Sequence, residues 1–586
     1  MMQTRRRRQR QDPSVRPASL GLRRRILVTL MTAAWLLVGG SAFYHQVVAT
    51  DFLQSEGERR HLRRSEIPAR RGMILDRNRE PLAVSTPVPT LWADPSLLVQ
   101  QGEYLDELAG ELGLDPRRLR ERLAEKRERR FIYLKRRVHP RQAAKVEALV
   151  ERTELSGIGT ETEYRRFYPS AEIFGHVLGF TGIDDRGQEG IERAFDERLA
   201  AQPGLRRVIQ DGRRNHIDEV ERLRPPRDGQ DLVLSIDRRL QFIAYRELKR
   251  AVREHRAIGG SAVVLDVASN EVLAMVNQPG YNPNAGLDGD GHKRRNRALT
   301  DVFEPGSTIK PFVVAGALEL SLVGPHTRID TRPGRLAVGR NRVRDIHDYG
   351  VLDTTGVITK SSNVGIVKLA MGIDRAVLWE LYRRVGFGMP TASGFPGESG
   401  GVLPHFRQWN EFEKATLAFG YGLSTTTLQL ARAYAVLAAD GVRRPVTLLK
   451  GGGAGASGVR VLSARTARQV RAMLETVVSE EGTARRAAIE GYRVAGKTGT
   501  AKKSAGAEGY SANRYQAVFA GMVPAGQPRF VMVVMVDEPR GKAYYGGLVA
   551  APVFAKVMEN ALRLFNVPPD DPTGSLLLAD TRKTAR

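Results

Sequence analysis

From Ile26 to Tyr44 nineteen residues pass without a charge, rich in Leu and Val. At about 1.5 Å per residue such a helix crosses a hydrocarbon core of roughly 30 Å, and no other stretch of the chain does. Beyond it Leu105, Leu108, Leu112, Leu119 and Leu123 recur at helical spacing amid Arg and Glu, alongside short β-like pieces such as Arg71–Leu75. Residues 45–228 therefore read as an elongated mixed α/β stalk, and the charge run Arg117–Arg130 as solvated helix faces. From Gly229 the pattern turns globular. Asp231–Ile236 reads as a strand, Arg238–His255 as an amphipathic helix, and Ser261–Val267 with Glu271–Val276 as a hairpin around Ala268–Asn270. Ala517–Val523 and Phe530–Val536 make a second hairpin around Pro524–Pro528. Two hairpins and one further strand predict a five-stranded antiparallel sheet, with a mostly helical stretch, about 300–480, packed beside it as a subdomain. The class is α+β. Gly451–Gly458 reads as a loop and the last residues as a loose tail.

Composition narrows the setting. The chain has 586 residues, 41% hydrophobic and 27% charged, which suits folded domains rather than a disordered or polytopic chain. It has no cysteine, so disulfides, thiolate catalysis and Cys-ligated metal sites are excluded. The net charge is +26. Residues 1–25 hold nine Arg against one Asp, and a basic segment abutting an apolar helix is explained by membrane orientation rather than by nucleic acid. The expected layout is a cytoplasmic tail (1–25), a transmembrane anchor (26–44), the stalk (45–228), a globular domain (229–565) and a C-terminal tail (566–586), all outside the cytoplasm after the anchor. A cleaved signal peptide competes, because Gly40 and Ala42 form a small-x-small site, but the apolar run exceeds the usual length of about 7–15 residues.

Three short motifs carry the chemistry. In Glu304-Pro305-Gly306-Ser307-Thr308-Ile309-Lys310-Pro311 the residues from Thr308 to Leu320 read as a helix, and the spacing puts Ser307 and Lys310 on one face. A deprotonated Lys310 amine there can take the Ser307 hydroxyl proton, provided burial or a cationic neighbour lowers its pKa. The Ser307 N–H is placed for an oxyanion. In Lys360-Ser361-Ser362-Asn363, Ser361 can relay a proton to a leaving amine and Asn363 can hold a substrate amide. In Lys497-Thr498-Gly499-Thr500, on a strand edge, Gly499 allows close approach of a substrate backbone. Lys497 supplies charge, Thr498 and Thr500 hydroxyls for a carboxylate, and Thr500 N–H a second oxyanion donor. Gly491–Thr498 also matches the P-loop pattern, with Phe530–Glu538 as an apolar strand ending in acid. A P-loop must follow a strand and open a helix, whereas Tyr492–Ala495 is strand-like and Gly499-Thr500 starts helices poorly. Asp345-Ile346-His347-Asp348 superficially suggests a metal corner but reads as a solvated turn.

Together and in this order, the three motifs resemble the active-site triplet of penicillin-recognising serine acyltransferases. Over about residues 65–565 the chain is similar to class B penicillin-binding proteins, most closely the division-specific (septal) peptidoglycan D,D-transpeptidases. The stalk likeness rests on Arg71–Asn78, Pro81-Leu82-Ala83, Arg166-Phe167-Tyr168-Pro169, Gly187 and Gly190-Ile191-Glu192. Further on it rests on Leu234–Asp237, Phe419–Ser424, and Tyr544–Gly547 followed by Ala550–Phe554. Arg79 stands where the family usually has Gly, which implies positive φ at Asn78 or Arg79, and Thr427 stands where Pro is common. The resemblance implies the penicillin-binding transpeptidase fold and a serine mechanism without metal or cofactor. In it Ser307 attacks the D-Ala–D-Ala carbonyl, Lys310 is the base, Ser361 relays the proton, and Lys497, Thr498, Gly499 and Thr500 with Asn363 bind substrate. The implied partners are peptidoglycan stem peptides, lipid-linked or nascent glycan strands, a membrane glycan polymerase, other division proteins and β-lactams, with no nucleic acid. A β-lactamase or carboxypeptidase of the same fold remains open, as does a weakly catalytic β-lactam sensor or divisome scaffold.

Overall fold

The apolar run forms one helix, Ser19–Phe43, ending in a π-turn over Tyr44–Val48. It begins seven residues ahead of the uncharged run because Arg23–Arg25 are good helix formers; charge limits the membrane-embedded part, not the helix. Leu27, Leu30, Leu36, Leu37 and Val38 are all exposed, and Gly21–Val48 is long and apolar enough to cross a membrane. The computed structural model describes residues 19–48, 50, 62–210, 216–285, 291–452, 457–504, 509–541 and 543–571. Most of the expected 1–25 and 566–586 tails, and the centre of the Gly451–Gly458 loop, lie outside the described residues.

The stalk is built around the long strand Pro81–Ala93, which pairs antiparallel with Ile158–Phe167 and, at its far end, with Ile132–Lys135. The five leucines at helical spacing lie in two helices, Leu105–Leu112 and Pro116–Glu125, and all five are buried against Leu91, Ile132 and Leu134 in a separate core. The break between them is explicit: Gly113 takes φ +64, Asp115 caps the second helix and Pro116 starts it. Arg79 adopts φ +67, as its place in the Asp-Arg-Asn turn implies. Three distant stalk motifs converge on one carboxylate. Glu192, fully buried, pairs with Arg71 Nε at 2.7 Å and with Arg166 Nε at 2.7 Å, and accepts from Tyr168 Oη at 3.4 Å.

In the globular domain the helix expected from Thr308 becomes α-helical only at Lys310, the strand-like Tyr492–Ala495 joins a strand only at Ala495, and one expected strand is broken. Asp231–Ile236 is not a continuous strand: Leu232–Val233 pairs in parallel with Ile74–Leu75 of the stalk, while Leu234 bridges Leu449 instead. The segment is extended but changes partner every two residues, so no ladder continues through it. The amphipathic helix that follows is Arg238–Glu254 (α1), capped by Asp237.

The sheet itself comprises Gly259–Asp266 (β1), Val272–Gln278 (β2), Ala495–Ser504 (β3), Tyr510–Val523 (β4) and Phe530–Asp537 (β5), in the order β2-β1-β5-β4-β3, all antiparallel. The fifth strand is thus β3, which carries Lys497–Thr500 at the open edge. Strands β1 and β5 are apolar and buried on both faces because helices cover both. A Cβ on Gly260 would meet Leu248 of α1, whereas the next residue, Ser261, bonds Thr427 on the other face at 2.7 Å. Thr427 opens Thr427–Ala438, a helix buried on every side. One row across the sheet runs Met275, Val263, Val533, Ala520, Lys497, so an edge lysine ends a line of apolar residues.

Candidate active site

The first motif folds as a 3₁₀ turn, Gly306–Ile309, continuing into the helix Lys310–Glu319 (α2). Thr308 Oγ1 donates to Pro305 O at 2.7 Å, and Tyr434 Oη to Thr308 O at 2.8 Å, which fixes the turn from both sides. Two glycines bring other backbones against it. A Cβ on Gly420, at φ +87, would lie 2.1 Å from Gly306 O, and one on Gly499 would lie 2.7 Å from Pro305 O. Ser307 is half-buried, and its hydroxyl makes no hydrogen bond among the described residues. Lys310, one turn on, is fully buried.

The second motif links two helices, Thr354–Thr359 and Asn363–Met371 (α3). Between them Ser361 takes φ +58, a conformation costing roughly 1–3 kcal/mol for a non-glycine residue. That strain aims both its carbonyl and its hydroxyl at the lysines. Lys310 Nζ donates to Ser361 O at 2.6 Å and to Asn363 Oδ1 at 2.7 Å, and lies 3.3 Å from Ser361 Oγ. Lys497 Nζ donates to Ser361 Oγ at 2.9 Å and to Thr498 O at 3.2 Å. Ser361 Oγ therefore sits between two buried amines.

Burial lowers both amines. Lys310 falls well below its ordinary value, with the Lys497 charge adding to burial and Asp345 opposing it. Lys497 is pulled down to about 7 by burial. A neutral Lys310 spends its two N–H bonds on the two short contacts, Ser361 O and Asn363 Oδ1. Its lone pair is then free to accept from a hydroxyl.

The third motif offers an open edge. Lys502 N donates away from β4, to Tyr421 Oη at 3.0 Å, so the N–H of Thr500, two residues earlier, faces the same way. A Cβ on Gly306 would lie 3.6 Å from Thr500 N, which places that N–H beside the Ser307 turn. Thr500 Oγ1 accepts from Gly546 N at 3.1 Å, so its own proton remains to be given, and Thr498 Oγ1 bonds Thr483 Oγ1 at 2.8 Å. All eight residues singled out in the sequence thus lie in one cluster, drawn from the Ser307 turn with α2, the α3 turn and β3. Strand β3 runs straight through Gly496–Thr500 without opening a helix, so the P-loop pattern forms no phosphate cradle.

Asp345 was legible only as a polar turn. It is the anchor of the second motif: Ser362 Oγ donates to it at 2.5 Å, Val364 N at 3.1 Å, and Asn363 N also donates to it. A carboxylate thereby sits at the N-terminus of α3. Eighteen residues separate Asp345 from Asn363 in the chain, and no local pattern announces the contact.

Comparison with known proteins gives consistent matches. Residues 260–559 match the penicillin binding protein transpeptidase domain, and residues 66–234 the penicillin-binding protein dimerisation domain. The chain is 42% identical to the peptidoglycan D,D-transpeptidase FtsI of Escherichia coli K12, over 92% of this chain and 91% of that protein. It is 41% identical to the probable peptidoglycan D,D-transpeptidase PbpC of Pseudomonas aeruginosa, over 95% and 97%. Among solved structures it is similar to the transpeptidase domain of Burkholderia pseudomallei penicillin-binding protein 3, with 45% identity and TM-score 0.54, over 58% of this chain and 98% of that one. It is also similar to penicillin binding protein 3 of Mycobacterium tuberculosis complexed with aztreonam, with 29% identity and TM-score 0.66, over 87% and 99%.

Proposed function

Since the chain belongs to the class B penicillin-binding proteins, we propose that it cross-links peptidoglycan stem peptides as a serine D,D-transpeptidase through an acyl-enzyme on Ser307. The observation that carries the residue roles is Ser361 Oγ, 2.9 Å from Lys497 Nζ and 3.3 Å from Lys310 Nζ.

Neutral Lys310 takes the Ser307 proton as Oγ attacks the carbonyl of the penultimate D-Ala. The oxyanion lies between Ser307 N–H and Thr500 N–H. Lys497 and the Thr498 and Thr500 hydroxyls hold the terminal carboxylate, Gly499 lets the two backbones approach, and the unspent N–H of Asn363 orients the donor amide. As the tetrahedral centre collapses, the C–N bond breaks and D-Ala leaves with a proton passed from Lys310 through Ser361 Oγ. An amine on a second stem peptide then attacks the ester, loses its proton along the same relay, and restores Ser307.

In this reading residues 45–228 are the stalk and 229–565 the catalytic unit, outside the cytoplasm and at the division septum. The arginines ahead of the helix support the orientation. A membrane glycan polymerase and other division proteins are the expected partners.

The test is intact-mass spectrometry of the detergent-solubilised chain with benzylpenicillin, beside Ser307→Ala. A stable one-to-one adduct mapped to Ser307, absent from the variant, is expected. An adduct that survives Ser307→Ala, or rapid drug hydrolysis without adduct, refutes the assignment. Release of D-Ala coupled to an added acceptor amine then separates transfer from hydrolysis.

A further inference from the structure

Past Thr500 the open edge of β3 leads to a cluster that the acyl chemistry leaves unused. Tyr421, which receives Lys502 N, meets the ring of Tyr510 edge-on at 5.1 Å. Tyr510 Oη donates to Glu304 Oε1 at 2.9 Å, and Gly422 N donates to the same oxygen at 2.8 Å. Glu304 Oε2 is buried and has no hydrogen-bond partner among the described residues. Burial raises the Glu304 carboxyl above its usual range against the two donors on Oε1. Buried polar atoms in native proteins nearly always find a partner, so an unmatched carboxylate oxygen three residues before Ser307 points to one supplied by a ligand.

The direction of the substrate says which ligand group arrives there. With the donor's terminal carboxylate at Lys497–Thr498 and its scissile carbonyl at Thr500 N, an extended donor runs antiparallel to β3. At about 3.3 Å per residue, the residue preceding the D-Ala pair then emerges near Lys502, beside Tyr421, Tyr510 and Glu304. Cross-linking requires an amine on the stem peptide, and an amine on the side chain of that residue is carried by donor and acceptor strands alike.

We propose that Glu304 is the counter-charge for the free side-chain ammonium of the donor stem peptide, so that the site selects donors whose amine is not already cross-linked. Gly422 N and Tyr510 Oη stay on Oε1, the ammonium takes Oε2, and its charge ionises the carboxyl. A purely structural Glu304 would need only Oε1, which Gln reproduces; the two roles therefore separate by substitution. The proposal rests on the transpeptidase reading above.

The experiment measures thiol release by the full chain in detergent from Nα-acetyl-X-D-Ala-D-thiolactate, with X as Lys or as its uncharged isostere norleucine. Wild type should favour Lys at least about tenfold in kcat/KM, on the scale of a charge-assisted hydrogen bond, and Glu304→Gln should bring the ratio close to one. Tyr510→Phe, which keeps the carboxylate, should preserve the preference. Equal wild-type rates on the two donors, or a preference that survives Glu304→Gln, overturns the Glu304 assignment and leaves the transpeptidase reading standing. Should Glu304→Gln fail to fold, as shown by loss of the penicillin adduct, Glu304→Asp decides: an undiminished Lys preference overturns the assignment, a several-fold drop supports it. No thiol release from either donor by wild type that still forms the adduct brings down the transpeptidase reading, and this proposal with it.

Discussion

Replacing Lys497 by Met tests the claim that the site runs on desolvated amines. Lys497 is fully buried, and its pKa falls from 10.5 to about 7 because burial penalises the charged form. At about 1.36 kcal/mol per pH unit, that difference amounts to about 5 kcal/mol of stability forgone at pH values below 7. The sign follows from proton counts. Between about pH 7 and 10.5 the unfolded chain holds a proton on Lys497 that the folded chain does not, so wild-type stability rises with pH across that window. Met, one atom shorter, carries no titrating proton, so the variant lacks this rise. The hydrogen bonds lost to Ser361 and Thr498 O, about 0.5–1.5 kcal/mol each, shift the variant by a constant and leave the pH dependence untouched. From pH 7, where the folded Lys497 is already half-titrated, to pH 9.5 the stability of Met relative to wild type should therefore fall by about 3 kcal/mol. Lys310 rises when the neighbouring charge goes, so the variant gains less from Lys310 as well, which widens the difference rather than reversing it. Over the 300 residues of 260–559, at about 2.1 cal/mol/K per residue, this is a change of about 5 °C in the gap between the two melting temperatures. Thermal melts of both proteins in detergent at the two pH values give the answer, with the penicillin adduct lost in the variant. A gap that is the same at pH 7 and 9.5 means Lys497 is an ordinary ammonium, and the account of the relay fails.

Three further outcomes follow from named contacts. Asp345→Asn removes the charge that holds Lys310 up, so the acid limb of the acylation rate should move to lower pH. The weaker hold on Ser362 and Asn363 should slow acylation about tenfold at pH 8, for roughly one charge-assisted hydrogen bond; stopped-flow acylation by a chromogenic cephalosporin reads both. Glu192→Gln leaves Arg166 buried without a carboxylate and Arg71 with Asp196 alone, which should cost about 3–5 kcal/mol of stalk stability in differential scanning calorimetry. Gly420→Ala puts a Cβ 2.1 Å from Gly306 O at φ +87; displacing the Ser307 turn by about 1 Å should slow acylation about a hundredfold, visible in the time course of the adduct.

What the sequence disclosed and what it hid divide along a physical line. The two hairpins were legible because their turns are local and their strands are apolar runs. The five stalk leucines were legible because helical spacing registers burial directly. The fifth strand was half hidden: Lys497, Lys502 and Lys503 in β3 read as polar, and only packing shows that the first of them ends an apolar row while Lys503 pairs with Asp537 and Glu538. Asp231–Ile236 misled for the opposite reason, since an apolar extended segment does not say which neighbours it will pair with. The eight motif residues were found by spacing and order, but Asp345 and the Glu304–Tyr510 contact needed the tertiary structure, being separated from their partners by 18 and 206 residues.

The cost of this site explains its setting. It contains two buried amines, a serine at positive φ and a partly buried carboxyl with one oxygen unmatched, each of which destabilises the folded chain. Such a constellation persists only where its surroundings over-determine it. Here the surroundings are strands β1 and β5, apolar on both faces, and a helix, Thr427–Ala438, buried on all sides and bonded to the back of the Ser307 turn through Tyr434. The strain falls on Ser361 rather than on Ser307, which has a physical consequence. The Ser361 hydroxyl is held between Lys310 and Lys497, whereas the Ser307 hydroxyl carries no hydrogen bond among the described residues. In the proposed mechanism, the rigid part of the site is the part that moves protons, and the uncommitted part is the one that forms the new bond.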